Sequence, residues 1–316
     1  RERGLPAFSV LPCDNIPDNG RLVKNAVLGM AQKRHPELAE WIAENVSFPG
    51  TMVDRIVPAA TPESLAEISE VLGVDDPCAI SCEPFIQWVV EDHFVAGRPA
   101  WEKAGVQLVD DVLPWEQMKL RMLNGSHSFL AWLGYLAGHA HISDCMADPV
   151  FKAAARRLML DEQAPTLRIS GVDLTEYADS LIARFSNPAL KHRTWQIAMD
   201  GSQKLPQRML EGVRVHLQRE SSWPLLALGI AGWMRYVSGV DDAGEPVDVR
   251  DPLVDKIRAI VDASSEADRV PALLELSEIF GNDLVRQPAF VDAVSQAWQR
   301  LCRVGAREAV SQTLAS

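Results

Sequence analysis

"DVLPWEQMKLRMLNGSHSFLAWLGYLAG" (111–138) marks the point where the chain changes character. Before Pro114, short β-leaning apolar runs alternate with amphipathic segments; after it, nearly every segment has helical spacing. The stretch also poses a chemical question. Lys119, Asn124 and His127 share it with Leu120, Met122, Leu123, Phe129 and Leu130. A buried lysine is costly unless it is paired or neutral, so this helix either turns at a surface or carries a site.

Working upstream, "VQLVDDVLP" (106–114) and "CAISCEPFIQWVVED" (78–92) read as strands, and "FPGTMVDRIVPAA" (48–60) as a strand or an extended loop. "TPESLAEISEVLG" (61–73) has the start signals of a helix: a Thr cap, Pro at the first position and Glu in the first turn. "GRLVKNAVLGMAQKRHPELAEWIAENV" (20–46) is helical with a break near Pro36, and "LPAFSVLPCDN" (5–15) reads as a buried strand ending in polar residues. Downstream, helical segments follow one another, several opening at Asp-Pro or Ser-Trp-Pro and several closing at Gly. The expected fold class is therefore α/β over 1–112 followed by an all-α domain over 113–316, with no fixed-period repeat.

Composition narrows the function classes. The 316 residues are 47% hydrophobic and 23% charged, with 39 Gly plus Pro, as in a folded chain of one large or two ordinary domains. The formal net charge is −12, which argues against nucleic acid as a partner. The most apolar run, "WPLLALGIAGWM" (223–234), gives 12 residues before Arg235, too few to span a bilayer and suited to a core helix. Five irregularly spaced cysteines (Cys13, Cys78, Cys82, Cys145, Cys302) fit reduced thiols in a cytoplasmic protein, and no second pair completes a zinc pattern around Cys78 and Cys82. His139 and His141 in "GHAH", with Asp144 and Cys145, suggest metal only if a loop brings them together, because on a helix the two imidazoles lie about 200° apart. A loop at a helix C-terminus is the preferred reading. The chain starts Arg-Glu-Arg with neither an initiator Met nor a signal peptide, which suggests a fragment of a longer protein.

On an α-helical wheel with Lys119 at zero, Glu116 falls near about 60°, His127 near about 80° and Asn124 near about 140°, while Leu123 and Leu130 flank the lysine within about 40°. In such surroundings a lysine is pushed toward neutrality and can exchange a proton with a substrate oxygen. Asn124 offers an amide N–H to an oxygen gaining charge. His127 can bind a hydroxyl, and Glu116 can pass protons to water. The same spacing is met if Lys119 snorkels to solvent, Asn124-Gly125 kinks the helix and His127 is a satisfied core histidine.

The chain resembles the polyol-specific long-chain dehydrogenases, the mannitol dehydrogenase family. The resemblance runs almost end to end, through "CDNIPDNG" (13–20), "FPGTMVDRIVPAATPE" (48–63), "CEPFIQWVVED" (82–92), "KLRMLNGSHSFLAWLGYL" (119–136), "RFSNPALKHRTWQIAMDGSQKLPQRML" (184–210) and "ALGIAGWMRY" (227–236). It implies that 1–112 is the later part of a Rossmann-type NAD-binding domain. It likewise implies that 113–316 is a multi-helix domain like the C-terminal domain of 6-phosphogluconate dehydrogenase. No G-x-G-x-x-G follows a strand, so the phosphate-binding turn is missing from this sequence and NAD binding by the chain alone is expected to be weak.

Carried over residue by residue, Lys119 resembles the family's catalytic acid/base, and Asn15 and Asn124 the asparagines that hold the reacting oxygen. His127 resembles a histidine contacting a substrate hydroxyl, Glu116 a glutamate implicated in proton passage, Asp54 an aspartate near the substrate and nicotinamide, and Lys204 a lysine of the substrate site. Gln196 stands where mannitol-oxidising relatives carry Arg, which favours the branch interconverting D-mannonate and D-fructuronate with NAD and no metal. A sugar-acid carboxylate calls for a cation; Lys204 and Arg193 are the candidates, although Arg193 equally suits a solvated surface position. The rival functions are oxidation of mannitol, arabinitol or altronate, and a non-catalytic helical module.

Overall fold

The computed structural model describes all residues, 1–316, and the chain divides into two compact units, Arg1–Gln117 and Met118–Ser316. The division lies five residues beyond the join expected from sequence, inside the helical run that starts at Leu113.

In the first unit, helices α1 (Asn19–Arg34) and α2 (Pro36–Asn45) pack as a pair, broken at His35, where the extended backbone precedes the proline. Strand β1 (Thr51–Asp54) follows, then α3 (Pro62–Leu72), β2 (Gln87–Glu91), β3 (Gln107–Val109) and α4 (Leu113–Met118). The sheet order is β1-β2-β3, with β1 antiparallel to β2 and β2 parallel to β3. Met52, Val89 and Val112 form its buried cluster, with Val109 and Trp115 packed against them. The capping signals at Thr61 act as expected: its hydroxyl accepts from Ser64 N–H and the Ser64 hydroxyl accepts from Thr61 N–H.

Two sequence expectations fail here. Residues 5–15 form no strand; they run as irregular, half-exposed chain, tied to a distant segment by a backbone bond from Val10 N–H to Ser47 O. Pro6 and Pro12 deprive this segment of ladder donors. The run from Cys78 becomes a strand only at Gln87, past Pro84.

The second unit is helical throughout, with two isolated bridges and no strand. It comprises a π-helix π1 (Lys119–Gly125), then α5 (Ser126–Leu136), α6 (Ile142–Ala147), α7 (Pro149–Arg157), π2 (Leu158–Gln163), α8 (Leu174–Phe185), α9 (Thr194–Ala198) and α10 (Gly201–Leu205). After these come π3 (Pro206–Leu210), α11 (Glu211–Arg219), α12 (Pro224–Val237), α13 (Val254–Ala263), α14 (Arg269–Leu274), α15 (Ser277–Phe280), α16 (Pro288–Val304) and α17 (Ala306–Ala315). The core lies between α5, α12 and α16, where Phe129, Trp132, Leu133, Trp233 and Phe290 are fully enclosed. At Gly232 the axes come so close that a Cβ would stand 2.7 Å from Leu133 Cδ2. The run at 223–234 is this core helix, and no helix of the structure is long and apolar enough to cross a membrane.

Helix α12 is apolar on every face, so its N-terminal N–H groups have no water to turn to. Glu162 solves this from the end of π2: its carboxylate accepts from Leu225 N–H and Leu226 N–H, each at 2.8 Å. Burial pushes Glu162 up to about 7, and the two N–H bonds hold it back from going further.

Candidate active site

In the second unit the site starts from π1. A π-helix closes i→i+5 bonds and takes more residues per turn than an α-helix, so residue 124 is offset from residue 119 by less than the about 140° of an α-helical wheel. The wheel angles expected from sequence therefore do not hold across this turn. Lys119 is 6% exposed and so is not a snorkelling surface lysine. The wider turn loosens backbone carbonyls, and the Ser126 hydroxyl, one residue past the π-helix, donates to Met122 O and Leu123 O.

One turn on, the buried ring of His127 stacks on Phe185, with centroids 4.8 Å apart, and meets His192 edge-on at 5.0 Å. His127 Nε2 and His192 Nδ1 are enclosed and have no partner within the protein. Burial first, then His192, Arg208, Arg184 and Lys204, drive His127 well below its usual value; burial and Lys204 lower His192 to about 4. Both rings are thus neutral at neutral pH and can either donate or accept.

Two cations complete the cluster. Lys204 on α10 donates to Ile197 O at 3.1 Å and to Met199 O, at the C-terminal end of α9, and burial lowers it to about 8. Arg208 on π3 donates to Ser128 Oγ at 2.9 Å and, at a long 3.4 Å, to Asn124 O, while its Nε is enclosed and unpartnered; burial lowers it to about 10.

Arg193 does not join this group. Arg193 has extended backbone, in which neighbouring side chains point to opposite sides. His192 faces His127, whereas Arg193 is exposed and lines a surface depression with Tyr135, His141 and Trp195. The histidines of "GHAH" separate likewise: His141 Nδ1 lies 3.2 Å from Asp144 Oδ2, and His139 Nε2 lies 3.6 Å from Asp148 Oδ2. All five cysteines are unpaired.

In the first unit, Asn15 sits exposed in the bend before α1, and Asp54 is buried as the last residue of β1. Glu116 is half-buried on α4. Its carboxylate accepts from Asp18 N–H at 3.0 and 3.2 Å, which fixes the left-handed turn that leads from Asn15 into α1. Asn19, missed in the sequence reading, holds the other side of that turn: its Nδ2 donates to Asp14 O and Thr51 O, and its Oδ1 accepts from Thr51 N–H. The Asn19-Gly20 dipeptide was the available signal. His192 and Arg208 were also missed, since neither lies in the helix that drew attention.

Comparison with known proteins decides the family. The mannitol dehydrogenase C-terminal domain matches residues 111–302, and the mannitol dehydrogenase Rossmann domain matches residues 1–103. The chain belongs to the mannitol dehydrogenase family. Among its relatives, a D-mannonate oxidoreductase of Escherichia coli is 62% identical over 98% of this chain, and the uncharacterized oxidoreductase YeiQ of the same organism is 75% identical over 99%. The mannitol 2-dehydrogenase of Pseudomonas fluorescens, solved as a ternary complex with NAD and D-mannitol, superposes on 100% of the chain with a TM-score of 0.90 at 38% identity. This mannitol dehydrogenase family chain spans 64% of the length of each of the three. Its Rossmann-type and helical domains are thus those of the family, as the motifs at 13–20 and 119–136 implied.

Proposed function

We propose that this chain forms part of an NAD-dependent oxidoreductase that interconverts D-mannonate and D-fructuronate. The observation that carries the reading is the cluster in the second unit. A half-buried cation, Lys204, stands beside a pair of neutral imidazoles whose Nε2 and Nδ1 are unpartnered. Cations suit a sugar-acid carboxylate and the free ring nitrogens suit its hydroxyls. The 62% identity to a D-mannonate oxidoreductase supports the same substrate class.

The reaction is D-mannonate + NAD⁺ ⇌ D-fructuronate + NADH + H⁺. Lys119 takes the C5 hydroxyl proton during oxidation and returns it to the C5 ketone oxygen during reduction. Asn124, five residues on in the same π-helix, donates to that oxygen; one such amide is worth about 3 kcal/mol of barrier. A nicotinamide accepts or supplies the hydride when bound. Asn15 and Asp54, an amide and a buried carboxylate, have the donor and acceptor chemistry to hold its carboxamide and ribose hydroxyls. Lys204 holds the carboxylate, and His127 and His192 read hydroxyls along the chain of the sugar acid.

The test is a panel of D-mannonate, D-altronate, D-mannitol and D-arabinitol with NAD⁺, using the full-length protein. Highest kcat/KM is expected on D-mannonate. Preference for a neutral polyol would sink the assignment.

A further inference from the structure

The three π-helices meet at one point. Gly125 closes π1, Gln163 closes π2 and Arg208 is the middle residue of π3. A Cβ on Gly125 would lie 2.8 Å from both Arg208 O and Gln163 Nε2, so only glycine lets the segments touch. Gln163 Nε2 donates to Arg208 O at 3.1 Å. From there the Arg208 guanidinium reaches across to π1 and α5, donating to Asn124 O and Ser128 Oγ. The origin of π3 is visible in the sequence: Pro206 has no N–H for an α-helical bond.

Such a turn is a strained alternative to α-helix and persists only where its surroundings hold it. Gln163 is bonded to the backbone of π3, not to π1. The one side chain from a neighbouring π-helix that bonds the backbone of π1 is Arg208, 3.4 Å from the Asn124 carbonyl. Arg208 is half-buried with its Nε enclosed, and its bonds go to a carbonyl and a hydroxyl. A cation placed in this way is held for its geometry.

We propose that Arg208 is a positioning residue for the reaction. Its Nη1, bonded to Asn124 O and Ser128 Oγ, holds the π-turn of 119–125 in the register that positions the Asn124 carboxamide and the Lys119 amine for the reaction, with Gly125 and Gln163 admitting and orienting it. The kinetic part rests on the function proposed above; the structural part does not.

The experiment compares Arg208→Lys, which keeps the charge and loses the reach and plane of the guanidinium, with Arg208→Met in the full-length protein. Steady-state kinetics with D-mannonate and NAD⁺ and amide hydrogen exchange over 119–128 are measured on both. The expected result is a loss of about tenfold or more in kcat in both variants with KM changed less than about twofold, as misplacement of reacting groups produces. Faster exchange confined to 119–128 should accompany it. A raised KM with intact kcat would make Arg208 an anion anchor and overturn the proposal. Recovery of kcat in Arg208→Lys would reduce it to a charge, and unchanged exchange would overturn it outright. Should Arg208→Met not fold, Arg208→Lys and Ser128→Ala carry the exchange measurement. Should the wild type turn over none of the panel, the exchange result still decides the structural claim while the functional reading fails separately.

Discussion

Lys204 shows how burial sets a working range at the level of one residue. Its amine is lowered to about 8, so it is a cation at neutral pH and loses that charge just above. If it holds the substrate carboxylate, KM for D-mannonate should be flat below pH 8 and rise above it, and Lys204→Met should show a raised, pH-independent KM over the same range. Arg193→Ala, removed from the cluster by the alternation at 192–193, should leave KM unchanged; initial-rate kinetics on the two variants separates the candidates. Lys119→Met should lower kcat by about 10²–10⁴ while the fold stays intact by circular dichroism, the loss typical of removing a general acid/base.

At the level of elements, α12 and the π-helices depend on side chains far away in sequence. Glu162 caps α12, and burial raises its pKa from 4.5 to about 7. Between those values the folded protein binds more protons than the unfolded chain. The group's favourable contribution is therefore complete below about pH 4.5 and lost as pH rises through 7, a change of about 3 kcal/mol. Urea unfolding at several pH values should show that slope in the wild type and a flatter profile in Glu162→Gln. Gly125→Ala places a methyl against Arg208 O and Gln163 Nε2 and should cost about 1–3 kcal/mol by overpacking, measured by the same unfolding curves.

Across the whole molecule the two units differ in how much they enclose. The sheet cluster of the first unit is small, and most of the large exposed apolar side chains, among them Phe8, Ile80 and Ile86, belong to that unit. The second unit encloses Trp132, Trp233, Phe129, Phe280 and Phe290 completely. Calorimetry should resolve two transitions, because separate cores break two-state behaviour. Val89→Ala should lower the first, and Leu133→Ala the second, the latter by about 2–5 kcal/mol.

Local pattern was sufficient for the α/β-to-α switch near Pro114, the cap at Thr61, the break at Pro36 and the core helix at 223–234, because periodicity, caps and proline act over a few neighbouring residues. The long motifs likewise marked the family and singled out Lys119, Asn124, His127 and Lys204. Tertiary contacts decided the rest. Lys119 and Asn124 share a π-turn against which Gln163 and Arg208 stand from two other segments, with Gly125 leaving room for both. His192 joins His127 through a loop, Glu116 bonds the turn at Asp18, and Glu162 serves a helix more than sixty residues on. Each of these bonds joins groups distant along the chain, and their energies exist only once the packed core has brought the partners together.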